Sequence, residues 1–407
     1  MNPYFANLEI IQAIDKKLDK CLLVPEEVSS VVEANSDYFL LDEYLFTYWQ
    51  TYSEAVQKYN CILCGIGSLP TFIHKHLADK NLTKAYRYRN LVNNINLNRY
   101  NVNRLMSIQG KESVLFQSNG LDFMGAASAQ HIHLRVPFKN YVDYYNASLI
   151  ASAILIAISS NSLYFLSHEL WHESRIAIFE HLNFLIRRGH CPRVFLGDGY
   201  LEGSFLELYR ENIQHLPLLC DLNLESEDPF WHLKYHNGTV WRWNRPVIDT
   251  NNDNKLHLGI ENRVLSAAPS VIDTVANTAF YIGLVHEIVS SYSNYRLLLP
   301  FEKILCNFYL IAQKGIHANL YWFDDVYNKA NEIILPMARA GLAKLKVDSF
   351  DNQYFIDIIQ LRLENKCNLS DWQKQKLMQL DGNFNELVLA YHQNQLKNIP
   401  LCDWKLS

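Results

Sequence analysis

Polar and apolar residues alternate most strictly in two short stretches of this chain, and in both one parity carries ionisable side chains. In Gln130-His131-Ile132-His133-Leu134-Arg135-Val136, a strand places His131, His133 and Arg135 on one face and Ile132, Leu134 and Val136 on the other. The run Lys255-Leu256-His257-Leu258-Gly259-Ile260-Glu261-Asn262-Arg263-Val264-Leu265 repeats the pattern, with His257, Gly259, Glu261 and Arg263 opposite Leu258, Ile260 and Val264. A third polar strand is predicted in His236-Asn237-Gly238-Thr239-Val240-Trp241-Arg242-Trp243-Asn244-Arg245-Pro246, opening on an Asn-Gly turn. Arg242 and Arg245 then point to opposite faces, so only one of them belongs to a given site. Longer windows follow the helical period and predict helices over 41–58, 82–99, 141–158, 174–188, 270–292, 302–313, 326–345 and 352–365, with a further strand over 59–65. Strands separated by long helices, without a regular βαβ period or a Gly-rich fingerprint, predict an α+β fold.

Length and composition narrow the function classes. The chain of 407 residues is 49% hydrophobic, enough for a full core, and shows no Pro or Gly linker, low-complexity tract or repeat, so a single domain over 1–407 is expected. With 37 basic against 42 acidic side chains and no basic stripe, nothing points to nucleic acid. Met1 to Lys20 does not read as a secretory signal, and eight scattered cysteines suit the cytoplasm. Cys61 and Cys64 form a C-x-x-C without a second pair, which reads as buried thiols. Tyr144 to Ser167 lacks charge and approaches membrane-spanning length. Ser152, Ser159, Ser160 and Asn161 interrupt it, however, and the expectation is a buried core helix with no membrane partner.

Two imidazoles at i, i+2 on a strand reach one metal ion or a nucleotide phosphate, and equally suit a half-exposed strand with incidental histidines. Glu261 beside Arg263 suits cation and anion binding in a cleft, or an ordinary surface pair. Two Trp around Arg242 fit cation–π packing as well as substrate binding. The segment His168-Glu169-Leu170-Trp171-His172 contains H-E-x-x-H, which on a helix binds zinc with Glu169 as general base. A zinc hydrolase needs a third ligand, and no metzincin histidine or obvious glutamate motif follows.

Taken in order along the chain, these segments resemble the type 2 glutamate–cysteine ligases, or carboxylate–amine ligases. The resemblance runs through Val32-Glu33-Ala34-Asn35, Gly65-Ile66-Gly67-Ser68-Leu69-Pro70-Thr71, Arg87-Tyr88-Arg89, Gln130 to His133, Ser160-Asn161-Ser162, Leu170 to Arg175 and Asn237 to Arg245. It is densest at His257 to Leu265 with Pro269, Asp273, Ala276, Asn277 and Phe280, then Pro336, Ala338, Gly341 and Leu342, and covers about 33–372. It implies a glutamine-synthetase-like fold, a curved antiparallel sheet with flanking helices. The concave face of that sheet would hold ATP, Mg²⁺ or Mn²⁺, and a glutamate-like amino acid.

The family reaction phosphorylates a carboxylate and lets an amine acceptor displace the phosphate. Carried over by position, His131 and Glu261, with Glu33, would ligand metal, and His133 would touch ATP. Arg175 joins the cofactor contacts as a further family arginine. Arg245 and Arg263 would hold the amino acid or the transferring phosphoryl group. A homo-oligomer is an expectation from fold analogy alone.

Two departures qualify the carry-over. No Gly-x-Glu-x-Glu-type carboxylate pair precedes Glu33, and Gly259 stands where relatives carry Arg. Losing that cation removes transition-state stabilisation on the order of a few kcal/mol. The alternative expectation is therefore a catalytically degenerate member acting as a binding or partner subunit.

Overall fold

The computed structural model describes residues 30–32, 38–77, 86–98, 104–118, 122–185, 192–216, 218–219, 228–250, 256–322 and 330–405. It is an α+β fold, in which helices pack on one face of a small mixed sheet. In chain order the strands are β1 (Ser30–Val32), β2 (Arg104–Gln109), β3 (Ser113–Ser118), β4 (Ala129–Val136), β5 (Tyr164–Phe165), β6 (His168–Glu169), β7 (Asn244–Thr250) and β8 (Leu256–Ser266). The main sheet runs β1-β4-β8-β7, and β2-β3 and β5-β6 form two-stranded ribbons. The pairs β4-β8 and β7-β8 are antiparallel, as the resemblance implies, but β1 lies parallel to β4.

Both strands read from strict alternation are present at the centre of this sheet. Ile132, Leu134, Val136, Ile260 and Val264 are buried on the core face, as their parity requires. The helix Tyr141–Ser159 covers that face and is buried from Tyr144 to Ser159. Among the described residues it is the one helix long and apolar enough to cross a membrane, and 89% of its apolar window is buried inside the protein, the environment of a core helix.

The helices Val271–Ser291, Phe301–Lys314, Ala330–Lys344 and Ser349–Glu364 match their expected windows within a few residues. Val271–Ser291 begins at Ser270, whose hydroxyl accepts from the Asp273 N–H at 3.0 Å. It crosses Ala330–Lys344 where a Cβ on Gly283 would lie 2.3 Å from the Ala338 carbonyl, and one on Gly341 1.9 Å from the Gly283 carbonyl. Only glycine permits that approach. Arg362, itself buried, ties three helices together by donating to Asp273, to Asn277 Oδ1 at 2.7 Å and to the Ile158 carbonyl at 3.3 Å.

Three sequence expectations are corrected. No strand forms over 59–65; the run is irregular, and the Gly65 carbonyl accepts from Asn161 Nδ2 at 3.1 Å and the Tyr391 hydroxyl at 2.6 Å instead of a ladder partner. Asn237-Gly238 does not turn a hairpin: it ends the helix Trp231–Asn237, and the strand starts only at Asn244. The helix expected over 174–188 is broken into Ser174–Glu180 and Leu182–Leu185, with 186–191 outside the described residues.

A polar network pins the sheet to its covering helix. Ser152 Oγ accepts from Asn244 Nδ2 at 2.8 Å and Asn262 Nδ2 at 3.2 Å, and donates to the Ser148 carbonyl at 2.8 Å. Asn262 also donates to Asn244 Oδ1 at 3.0 Å, which accepts from Ser148 as well. All four side chains are buried, so Ser152→Ala strands two amide donors and is expected to cost about 1–3 kcal/mol, measured by urea unfolding.

Candidate functional site

Register assembles the site. Glu261 on β8 stands opposite His133 on β4 and Arg245 on β7, so the three side chains form one row across the sheet. His131 and Arg263, each two residues along its strand, join the same face. The β4-β8 ladder shifts between Gln130 and Ile132, which sets two residues of β8, Arg263 and Val264, against His131 alone.

Within this cluster the Glu261 carboxylate is fully buried. Its Oε1 accepts from Arg263 Nη1 at 2.5 Å and lies 3.3 Å from His131 Nδ1 and 3.7 Å from His133 Nε2. Its Oε2 accepts from Arg245 Nε. Burial alone raises the carboxyl pKa, but the guanidiniums of Arg263 and Arg245, helped by both imidazoles, outweigh it and hold Glu261 well below the usual carboxylate range. His131 is held well below its ordinary value by burial first and by Arg263 second, against the pull of Glu261, so its ring is neutral near pH 7. The cluster is a charge-compensated core with an accessible rim: side-chain exposure is 0% at Glu261, 11% at Arg263, 16% at Arg245 and 21% at His133.

Arg175 stands apart from the rim. It is buried, with Nη1 donating to the Val264 carbonyl at 3.1 Å and Nη2 to the Arg263 carbonyl at 2.6 Å. Those two carbonyls belong to the residues displaced by the register shift, so the guanidinium serves main-chain groups at the irregularity. Its charge also lies over the Phe179 ring at 5.1 Å and the Trp243 ring at 5.4 Å. Burial brings its pKa down to about 10 despite Glu173 nearby. From this position Arg175 supports β8 through its main-chain carbonyls.

Glu173, equally buried, was not singled out by itself in the sequence. It accepts from Ser162 Oγ at 2.8 Å, Ser266 Oγ at 2.5 Å and the Asn161 N–H at 3.2 Å, and burial raises its pKa against the opposing charge of Arg175. Its side-chain donors are Ser162, from Ser160-Asn161-Ser162, and Ser266 at the end of β8.

The remaining candidates fall elsewhere. Glu33 lies outside the described residues. Arg242 is buried over the Phe195 ring at 4.3 Å, bonded to Asn212 Oδ1 at 3.0 Å and paired with Glu211 at 3.1 Å, so of the two arginines in the aromatic segment only Arg245 reaches the cluster. Gly259 faces Arg135 across β4, so that row keeps a guanidinium from the neighbouring strand. A Cβ on Gly259 would meet nothing nearer than the Leu134 carbonyl at 3.4 Å. Cys61 and Cys64 are half-buried, not the fully buried pair expected, and burial pushes the Cys64 thiol up to about 12.

The H-E-x-x-H segment is not helical: His168 and Glu169 form β6, and Leu170 to His172 continue without helix. His168 lies 3.5 Å from Glu112, whereas His172 lies 3.9 Å from Asp371, so the two imidazoles do not share the helix face that the zinc motif requires. Among the described residues no group of three or more His, Cys, Asp or Glu side chains is arranged to hold a metal ion. No protein-family model matches this chain, and no curated protein matches it.

Two measurements probe the cluster. Glu261→Gln removes the buried partner of two guanidiniums and is expected to destabilise the fold by about 3–5 kcal/mol in denaturant titration. The acid side of the stability profile should carry a His131 contribution. Its folded pKa lies below the ordinary 6.5, so the unfolded chain takes up a proton first, and stability falls as pH drops through 6.5 toward the folded value. That loss reaches up to about 1.4 kcal/mol per pH unit. His131→Gln is expected to show a smaller loss of unfolding free energy between about pH 7.5 and 5.5 than the wild type.

Proposed function

We propose that this chain is a glutamine-synthetase-like relative of the carboxylate–amine ligases whose β4-β8-β7 face binds the carboxylate of a glutamate-like amino acid without magnesium-dependent phosphoryl transfer. The observation that carries this reading is the condition of Glu261. Magnesium and manganese favour hard oxygen ligands, and near-octahedral Mg²⁺ sites are built around carboxylates. Here both oxygens of the carboxylate at the cluster's centre already accept from guanidiniums, and its other neighbours are imidazoles. The described residues do not fit the divalent ion that the family reaction uses. Arg175, the other expected cofactor contact, is turned to the β8 backbone, which weakens the case for ATP.

A carboxylate ligand suits the same face better. Arg245 and Arg263 offer planar guanidinium donors at a partly exposed rim, and such forks match carboxylate geometry. Glu261 beneath them fixes their orientation, which lowers the cost of ordering them on binding.

The ATP-dependent ligase is the second reading, favoured by the meeting of His131, His133, Glu261, Arg245 and Arg263 on one face. Calorimetry with glutamate and related amino acids, in EDTA and in magnesium, separates the two when paired with phosphate release from ATP. The expected result is metal-independent binding, weakened about tenfold or more by Arg263→Gln, with no acceptor-dependent phosphate release. Magnesium-dependent release that rises with an added amine would overturn the binding reading in favour of the ligase.

A further inference from the structure

The segment that resembles a zinc motif borders a different feature. Glu169, Trp171 and His172 line a hollow of about 450 Å³ together with Lys111, Lys314 and Lys374, over an apolar floor that includes Leu163 and Leu170. Its size is that of small-molecule sites, and its lining is mostly polar and charged. The Glu169 carboxylate is bracketed by two ammoniums: Lys111 Nζ donates to Oε2 at 2.8 Å and Lys374 Nζ to Oε1 at 2.7 Å. Burial opposes its charge, but hydrogen bonds from Lys111 and Lys374 prevail and keep it ionised. Lys314, exposed at the rim, makes no ion pair among the described residues.

Three lysines thus face one lining carboxylate. The other acids close by are already engaged. Asp371 accepts from His317 Nε2 at 2.9 Å if that nitrogen carries the proton, and Glu112 accepts from the Glu169 N–H at 2.9 Å. His172, at the wall of the same hollow, has a buried Nδ1 without a hydrogen-bond partner, 3.9 Å from Asp371 Oδ1. A polar atom in that state is costly unless something fills its bonding capacity.

We infer that this hollow binds a phosphate-bearing small molecule, and that Glu169 acts as a built-in counter-anion holding Lys111 and Lys374 in position until that phosphate takes their charge. The geometry assigns Lys374 and Lys111 to the phosphate and Lys314 to its outer oxygens. Trp171, fixed by donation from its indole N–H to the Gln109 carbonyl at 2.6 Å, provides an immobile apolar wall. The site is independent of the Glu261 cluster, because none of its lining residues takes part in that cluster.

Titration of the full chain with inorganic pyrophosphate and, separately, with adenosine monophosphate tests this, since the first carries only the anion and the second adds a base. Glu169→Gln is expected to tighten pyrophosphate binding about tenfold by freeing two ammoniums, and Lys374→Ala and Lys314→Ala to weaken it, all three effects shrinking as salt is raised. Binding of the nucleotide beyond that of pyrophosphate would assign the apolar wall to a base, and equal binding would assign the hollow to the anion alone. Lys314 is exposed at the end of the helix Phe301–Lys314 and makes no ion pair among the described residues, so Lys314→Ala reports chiefly on binding, with a melting curve checking the fold. The inference is overturned by Glu169→Gln leaving affinity unchanged or lowering it, or by wild-type binding that neither lysine substitution affects.

Discussion

A carboxylate with no solvent exposure has to be compensated where it lies, and the arrangement of the sheet around Glu261 follows from that requirement. Desolvation on this scale is tolerated only with excellent geometry. The strand register meets it by setting Arg245 directly across β7 and His133 directly across β4, while Arg263 returns from the same strand. A slip of one residue in either ladder would turn these groups into the apolar core and put Ile260 or Leu134 in their place. Ionic compensation on one face and apolar packing on the other therefore select the same register.

The irregularity in the β4-β8 ladder is part of that solution. It sets both Arg263 and Val264 against His131, and the displaced carbonyls need donors from outside the ladder. Arg175 supplies them, and its own charge is met by aromatic faces and by the nearby Glu173. The helix Ser174–Glu180 is thereby tied to the strand that carries the cluster, through main-chain contacts that a bound ligand would not replace.

How much of this was legible in the sequence depended on the range of the interactions. Period-2 alternation in 130–136 and 255–265 was decisive because one side of each strand is dry, and it identified the cluster's face correctly. The run 59–65 has strand-like composition, but its Gly65 carbonyl is taken by Asn161 and Tyr391 from far along the chain, which no local pattern encodes. Asn237-Gly238 carries a hairpin signature, yet it closes a helix with Gly238 in the right-handed region, without the positive φ that an Asn-Gly hairpin turn needs. Asn262 sits on the apolar parity of β8, and Ser148 and Ser152 recur at helical spacing in an apolar run. The interruption at Ser152 is resolved only in three dimensions, where it accepts from Asn262 across the layer.

The same reasoning separates two kinds of residue within the family resemblance. Asp273, Asn277, Ala338 and Gly341 hold helices together through Arg362 and a glycine-mediated crossing, away from the polar face of the sheet. Residues of that kind preserve a scaffold whatever chemistry it serves, so their agreement bears on fold. The groups around Glu261 are held differently, by guanidiniums that donate to both of its oxygens. A carboxylate has about four lone-pair sites, and the two arginines take one on each oxygen of Glu261. The scaffold contacts and the cluster are thus held by different forces, the first by close helix packing and the second by charge compensation across the strand register.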